Sequence, residues 1–204
     1  MIESFQKQPQ VKILPAFTFD GRFRLRETDL NEIVRTVESV LPQYANGDID
    51  VTITLLEKNL HIMADRALVA EALTHLIKNA MDAMPDGGKF SLSTNQVNFE
   101  IESLLDGDDS IMGACAFIHL TDTGVGIDEK IKEKIFEPFF TTKTNGKGLG
   151  LTIAYRIIKQ HHGRIEVESQ VGQGTEVNIY LPLTKSEMVN MVSIPLGASY
   201  DKIN

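Results

Sequence analysis

Apolar residues recur at helical spacing from Leu30 onward. Leu30, Ile33, Val34, Val37, Val40 and Leu41 share one side of a 3.6-residue repeat, which predicts a helix opening at Asp29 and ending by Pro42. Asp29 is the expected N-cap, with Glu32 three residues on as in a capping box. Val51-Thr-Ile-Thr-Leu-Leu56 alternates with period two. Glu57 to Leu60 reads as a turn and His61-Ile-Met63 as the returning strand of a hairpin. The strongest helical pattern covers residues 66–84, with Val69, Leu73, Leu76, Ala80 and Met84 on one face and Asp86-Gly-Gly88 behind it. Lys89 to Val97 alternates as a strand. Ala114 to Thr121 is a strand apolar on both faces and runs directly into Asp122-Thr-Gly-Val-Gly126. After a Gly-, Thr- and Lys-rich stretch (141–148), Leu149 to His161 repeats as a helix. Arg164 to Ser169 and Thr175 to Leu181 form a closing hairpin around Gly172-Gln-Gly174.

This order of elements predicts an α+β fold, a two-layer α/β sandwich with the helices on one face of a mixed sheet. Residues 28–183 are the expected domain. Residues 1–27, punctuated by Pro9, Pro15 and Gly21, read as a linker with at most one short strand, and residues 184–204 as a tail or linker.

Composition narrows the function. The chain has 204 residues, 42% of them apolar, enough for one ordinary core. No apolar run approaches the roughly 18 residues of a membrane-spanning helix, and Met1 to Gln10 is polar, unlike a signal or transit peptide. Acids outnumber bases 28 to 20, which argues against a generic nucleic-acid surface. Glu100, Glu102, Asp106, Asp108 and Asp109 crowd one short stretch, read as a solvated loop without calcium-loop spacing. Cys115, the single cysteine, lies in an apolar run and reads as a buried, inert thiol. These features fit a cytoplasmic segment without membrane contact.

Candidate chemistry sits in three places. On the helix 66–84, Glu71, His75, Asn79 and Asp82 fall on one side. A solvent face is the ordinary reading of such a stripe, but Asn is costly in mid-helix and short polar groups replace the usual Lys and Glu. Asp122, at the end of a buried strand, carries a carboxylate that accepts hydrogen bonds and cannot donate them. It suits the exocyclic amine of adenine and rejects the oxygen of guanine. Gly146-Lys-Gly-Leu-Gly150 precedes a helix, where bare N–H groups and the helix dipole favour phosphate. It is neither a Walker loop nor a dinucleotide fingerprint. Lys143 and Lys147 lie in or beside this loop; a lone lysine there would read as solvated, but two in such a loop predict a phosphate contact for at least one.

These strings together resemble a family. His75-Leu-Ile-Lys-Asn-Ala-Met-Asp-Ala83 is similar to the N box of sensor histidine kinases and related ATPases. Asp122-Thr-Gly-Val-Gly-Ile127 resembles the first glycine box, Phe136-Glu-Pro-Phe-Phe-Thr-Thr-Lys143 the F box, Gly146-Lys-Gly-Leu-Gly-Leu151 the second glycine box, and Gly172-Gln-Gly-Thr175 the third. The resemblance implies the Bergerat ATP-binding fold and the catalytic, ATP-binding domain of a two-component sensor histidine kinase. It implies ATP and Mg²⁺ as cofactors, with Asn79 as the metal ligand and Asp82 beside it. It assigns adenine to Asp122 and the nucleotide's path to Gly124, Gly126, Ile127 and Thr175. A mobile lid over residues 141–149 would bring Thr142, Lys143, Gly146, Lys147, Gly148 and Leu149, with Gly150 and Leu151 beginning the next helix. Phe136, Phe139 and Phe140 would anchor the lid's near end.

The sequence departs from the family pattern in three respects. His75 stands where kinases often have Asn and hydrolysing relatives Glu, so it is either an acid/base or a neutral spacer. His161-His162-Gly163 replaces His-Gly-Gly and reads as an incidental exposed pair. The family phosphorylates a histidine followed by an acid, whereas His61, His75, His119, His161 and His162 precede Ile, Leu, Leu, His and Gly. The phosphoacceptor hairpin of a parent kinase is therefore the expected partner, with a response regulator downstream and a monomeric isolated chain. The alternatives are an anti-sigma-type serine kinase of the same fold and a nucleotide-sensing module without catalysis.

Overall fold

The computed structural model describes residues 23–44, 48–99, 113–144 and 146–184. The acidic stretch, most of the expected linker and nearly all of the expected tail lie outside them.

A short strand, β1 (Arg26–Asp29), leads into α1 (Leu30–Glu38). Asp29 caps α1 by accepting from the Asn31 N–H. Glu32 does not complete a capping box; its carboxylate accepts from the Arg66 guanidinium at 3.0 Å. The helix ends at Glu38, and Pro42 falls in a separate 3₁₀ turn, Leu41–Gln43. Then follow β2 (Ile49–Thr54), β3 (His61–Ala64) and α2 (Arg66–Asp82). Beyond these come β4 (Gly88–Phe99), β5 (Gly113–Asp122), the short α3 (Glu129–Lys132), α4 (Gly150–Gln160), β6 (Arg164–Gln170) and β7 (Gly174–Pro182).

β2 and β3 do not form the expected hairpin. β2 pairs parallel with β4 at one edge of a five-stranded sheet of order β2-β4-β5-β7-β6, and β3 pairs antiparallel with β1 in a separate ribbon. The cause is a polar hub that redirects the turn between them. The buried Asn31 side chain donates to the Leu56 and Lys58 carbonyls, Thr94 Oγ1 donates to Asn31 Oδ1, and the Leu60 N–H donates to Asp29. The turn's backbone groups are thus satisfied by α1 and β4, and the chain is carried across to β1.

The remaining strands pair antiparallel. Along β5, Ala116, Ile118, Leu120 and Asp122 are buried, whereas Phe117, His119 and Thr121 are half-buried on the other face. The inward positions pack with Ile33, Val34 and Val37 of α1, Leu73, Leu76 and Ile77 of α2, and Ala154, Ile157 and Ile158 of α4. This is the expected sandwich, with helices on one face of a mixed sheet. Burying these side chains is worth about 1.5–3 kcal/mol for each large aliphatic residue. The Cys115 thiol is fully buried, and burial raises its pKa to about 11.

The second histidine expectation needs correction. His161 is 4% exposed. Its Nδ1 faces the Ile157 carbonyl at 2.7 Å, and Nε2 accepts from the Asp65 N–H at 3.0 Å. Both ring nitrogens are thereby used, joining the end of α4 to the start of α2, and desolvation lowers its pKa. His162 is exposed, with φ 56°.

Candidate functional site

The inward face of α2 is apolar through Val69, Ala72, Leu73, Leu76, Ile77, Ala80 and Met81. Helical geometry then turns Glu71, His75, Asn79 and Asp82 toward its margin, where all four are half-buried or exposed. Two loops adjoin the C-terminal half of α2. One follows β5 and is fixed by the Val125 N–H donating to the Ala83 carbonyl at 3.0 Å. The other is the segment before α4. His75 Nδ1 lies 3.3 Å from where a Cβ on Gly150 would stand, so the first turn of α4 rests against the His75 ring. Desolvation lowers the His75 pKa, against a raising effect from Glu71 at 3.8 Å.

Asp122 ends β5 and pairs in register with Thr175 of β7. Its Oδ1 accepts from the Gly124 N–H at 2.9 Å, and the carboxylate is 9% exposed. Desolvation raises its pKa, while hydrogen bonds from the Gly124 and Thr175 backbone lower it. The space a Cβ would need at Gly124 belongs to Ala83, and at Gly126 to the Gln170 carbonyl. The protein's own backbone therefore requires these glycines, independently of any ligand. Ile127 is half-buried against the core, and its N–H donates to Ser169 Oγ.

Ser169 was not among the sequence candidates. Its hydroxyl accepts from Ile127, donates to the Gly174 carbonyl and lies 3.0 Å from Thr175 Oγ1. It ties the loop after β5 to the β6–β7 turn. Only its place three residues before the Gly172-Gln-Gly174 turn hints at this. Thr152 is a second omission; buried in α4, it donates to the Phe136 carbonyl at 3.1 Å and fixes α4 to the start of the lid.

The lid's near end is held differently from expectation. Phe136 is buried and packs 4.9 Å from Tyr155, and Phe140 joins the core, but Phe139 is 63% exposed with φ 68°. Phe139 acts through its backbone, its N–H donating to the Gly148 carbonyl at 2.9 Å. This contact closes the lid's base. Thr142, Lys143, Gly146 and Lys147 are exposed, while Gly148, Leu149, Gly150 and Leu151 are half-buried as the chain enters α4. Lys143 reaches back to α2. Its ammonium donates to Asn79 Oδ1 at 3.1 Å and Asp82 Oδ2 at 2.8 Å. Lys147 is exposed at the surface, between Gly146 and Gly148.

The arrangement offers a buried carboxylate at one end, helix N-terminal N–H groups at the other, and polar oxygens on α2 between. Residues 64–185 match the family model described as histidine kinase-, DNA gyrase B- and HSP90-like ATPase. The chain belongs to this ATPase family. The sensor kinase CckA of Brucella abortus is 36% identical to this ATPase domain over 84% of the chain and 18% of its own length. Sporulation kinase B of Bacillus subtilis is 33% identical over 76% of the chain and 33% of its own length. The chain thus spans between 18% and 33% of these two curated relatives. The solved catalytic domain of the histidine kinase ThkA, in a nucleotide-free form, is 30% identical with a TM-score of 0.60, covering 80% of this chain and 98% of that one. These likenesses place the ATPase domain with the ATP-binding catalytic domains of sensor histidine kinases.

Proposed function

We propose that this domain binds Mg-ATP and presents the γ-phosphoryl group to a histidine carried on a phosphoacceptor hairpin of its parent kinase. A response regulator would receive the phosphoryl group next, in the cytoplasm. The observation that carries this reading is the convergence of Asn79, Asp82 and Lys143 one helical turn from the loop that bears Asp122. Asp122 would accept from the adenine amine. The N–H groups entering α4 and the lid lysines would hold the phosphates.

The donor set suits a magnesium ion. Two hard oxygens, Asn79 Oδ1 and Asp82 Oδ2, already share one cation in the Lys143 ammonium, and Mg²⁺ favours a few such oxygens while keeping its waters. Asn79 would be its protein ligand, with Asp82 reached directly or through water. Bound there, the metal would neutralise phosphate charge. The chain's own contribution is positioning: α2 and α4 fix the nucleotide from two sides, and the lid excludes water above it. His75, wedged between Glu71 and Gly150, orients the two helices rather than attacking phosphorus.

Calorimetric titration tests the reading. ATP should bind far better than GTP, and Mg²⁺ should strengthen ATP binding in the wild type but little in Asn79→Ala. Equal affinity for ATP and GTP would refute the assignment of Asp122. Undiminished magnesium dependence in Asn79→Ala would refute that of Asn79.

A further inference from the structure

Lys143 is aimed at α2 by its backbone as well as its charge. Its N–H donates to Thr141 Oγ1 at 3.1 Å, and its carbonyl accepts from the Gly146 N–H at 3.1 Å. A Cβ at Gly146 would stand 2.4 Å from Thr141 Oγ1, so the turn is compact. The Phe139 to Gly148 hydrogen bond shuts the base of the same loop. From this platform the side chain spans to oxygens 64 and 61 positions away in sequence. The pairing is therefore a tertiary contact between lid and helix, made at the oxygens assigned above to a metal.

We propose that Lys143 is the counter-cation of the metal site: its ammonium holds the lid against Asn79 and Asp82 when no metal is bound, and it transfers to phosphate oxygens when Mg-ATP enters. The proposal rests on the assignment of Asn79 to the metal. An ammonium and a divalent cation cannot share the same two oxygens, because like charges within ~4 Å repel strongly even near a protein surface. Each must displace the other. Lysine suits this exchange, being a compact point charge on a flexible four-carbon stem. The Lys143 and Asp82 side chains are 42% and 38% exposed, so the pair is weak and readily broken.

Opposite effects on metal and nucleotide distinguish this role from others. A lysine that only bound phosphate would leave metal affinity untouched, and a merely solvated lysine would affect neither ligand. The probe is Mn²⁺ alone, without nucleotide, followed by paramagnetic broadening of backbone amide signals around residues 79 and 82. Wild type, Lys143→Met and Lys143→Arg are compared, with melting curves confirming that each is folded. Lys143→Met should bind Mn²⁺ at least threefold more tightly than wild type and bind Mg-ATP at least threefold more weakly. Amides of the lid residues 139–144 and 146–148 should exchange faster in it when no ligand is present. Lys143→Arg should restore lid protection. Equal Mn²⁺ affinity in wild type and Lys143→Met, or unchanged lid exchange, would overturn the counter-cation role. If that happens while Asn79→Ala still abolishes the magnesium dependence of ATP binding, the metal assignment survives alone. If Mn²⁺ broadens no signal near 79 and 82 in any variant, and Asn79→Ala leaves magnesium dependence intact, both fail together.

Discussion

Asp122, the carboxylate proposed to read adenine, is buried and carries the cost of that burial. Its raised pKa means that the native state holds the proton more tightly than the unfolded chain does. Stability therefore falls as pH climbs from the unfolded value of 3.8 through the raised native value, and the full cost is present above it. Asp122→Asn removes the charge and keeps an oxygen for the Gly124 N–H. In the absence of nucleotide this variant should melt no lower than wild type at pH 7, with its relative stability declining toward pH 4. ATP affinity should meanwhile fall by about 1–3 kcal/mol, the scale of a mismatched buried partner. Thermal melts across pH and calorimetry check the two halves; a variant that melts well below wild type at pH 7 contradicts the argument. The glycines near Asp122 were legible as a motif. What they accommodate was not, since the crowding comes from Ala83 and Gln170, residues remote in sequence.

At the scale of elements, the lid depends on one backbone crossing. Gly148 has φ 65°, and a Cβ there would stand 2.4 Å from the Phe139 carbonyl carbon. Gly148→Ala combines an unfavourable left-handed conformation with a clash against main chain that cannot step aside. It should cost about 1–3 kcal/mol of stability and break the hydrogen bond from Phe139. Mass-spectrometric hydrogen exchange should then show the Phe139 amide unprotected while α2 and the central strands β5 and β7 keep their protection. Unchanged exchange at Phe139 would mean that the lid's base is held elsewhere. The helical elements were readable because their apolar residues repeat at 3.6. The β2–β3 relationship was not, because alternation marks a strand without naming its partner. Asn31, whose hydrogen bonds divert the turn, looks in sequence like any polar residue in a first helical turn.

For the whole molecule, the placement of the histidines decides what the chain does unaided. His119 is on the sheet face opposite Asp122, beside Glu176. His161 has both ring nitrogens engaged, His162 lies in the turn beyond α4, and His61 is on the β1–β3 ribbon. His75 borders the site, but its ring is set between Glu71 and Gly150 on a rigid helix. Apart from His75, the histidines thus lie away from the proposed phosphate site, and a nucleophile must come within ~3–3.5 Å of phosphorus. The 204-residue chain incubated with radiolabelled Mg-ATP should therefore yield no acid-labile, base-stable phosphoprotein. On the proposed function, a phosphoacceptor hairpin supplied as a separate chain should become labelled, at high concentration because no tether joins the two. Robust self-labelling would require an acceptor among this chain's own side chains.

The sequence by itself determined the three longer helices, most of the strands, the fold class and the order of the nucleotide boxes. Each of these is written in local periodicity or in glycine and carboxylate spacing, which a linear reading preserves. Only the tertiary structure decided that β2 joins β4, that His161 is an internal strut and that Ser169 binds two loops. It alone also brought Lys143 onto Asn79 and Asp82. Each of these depends on at least one contact between groups 38 or more positions apart, up to 96, whose meeting is set by packing rather than by local pattern.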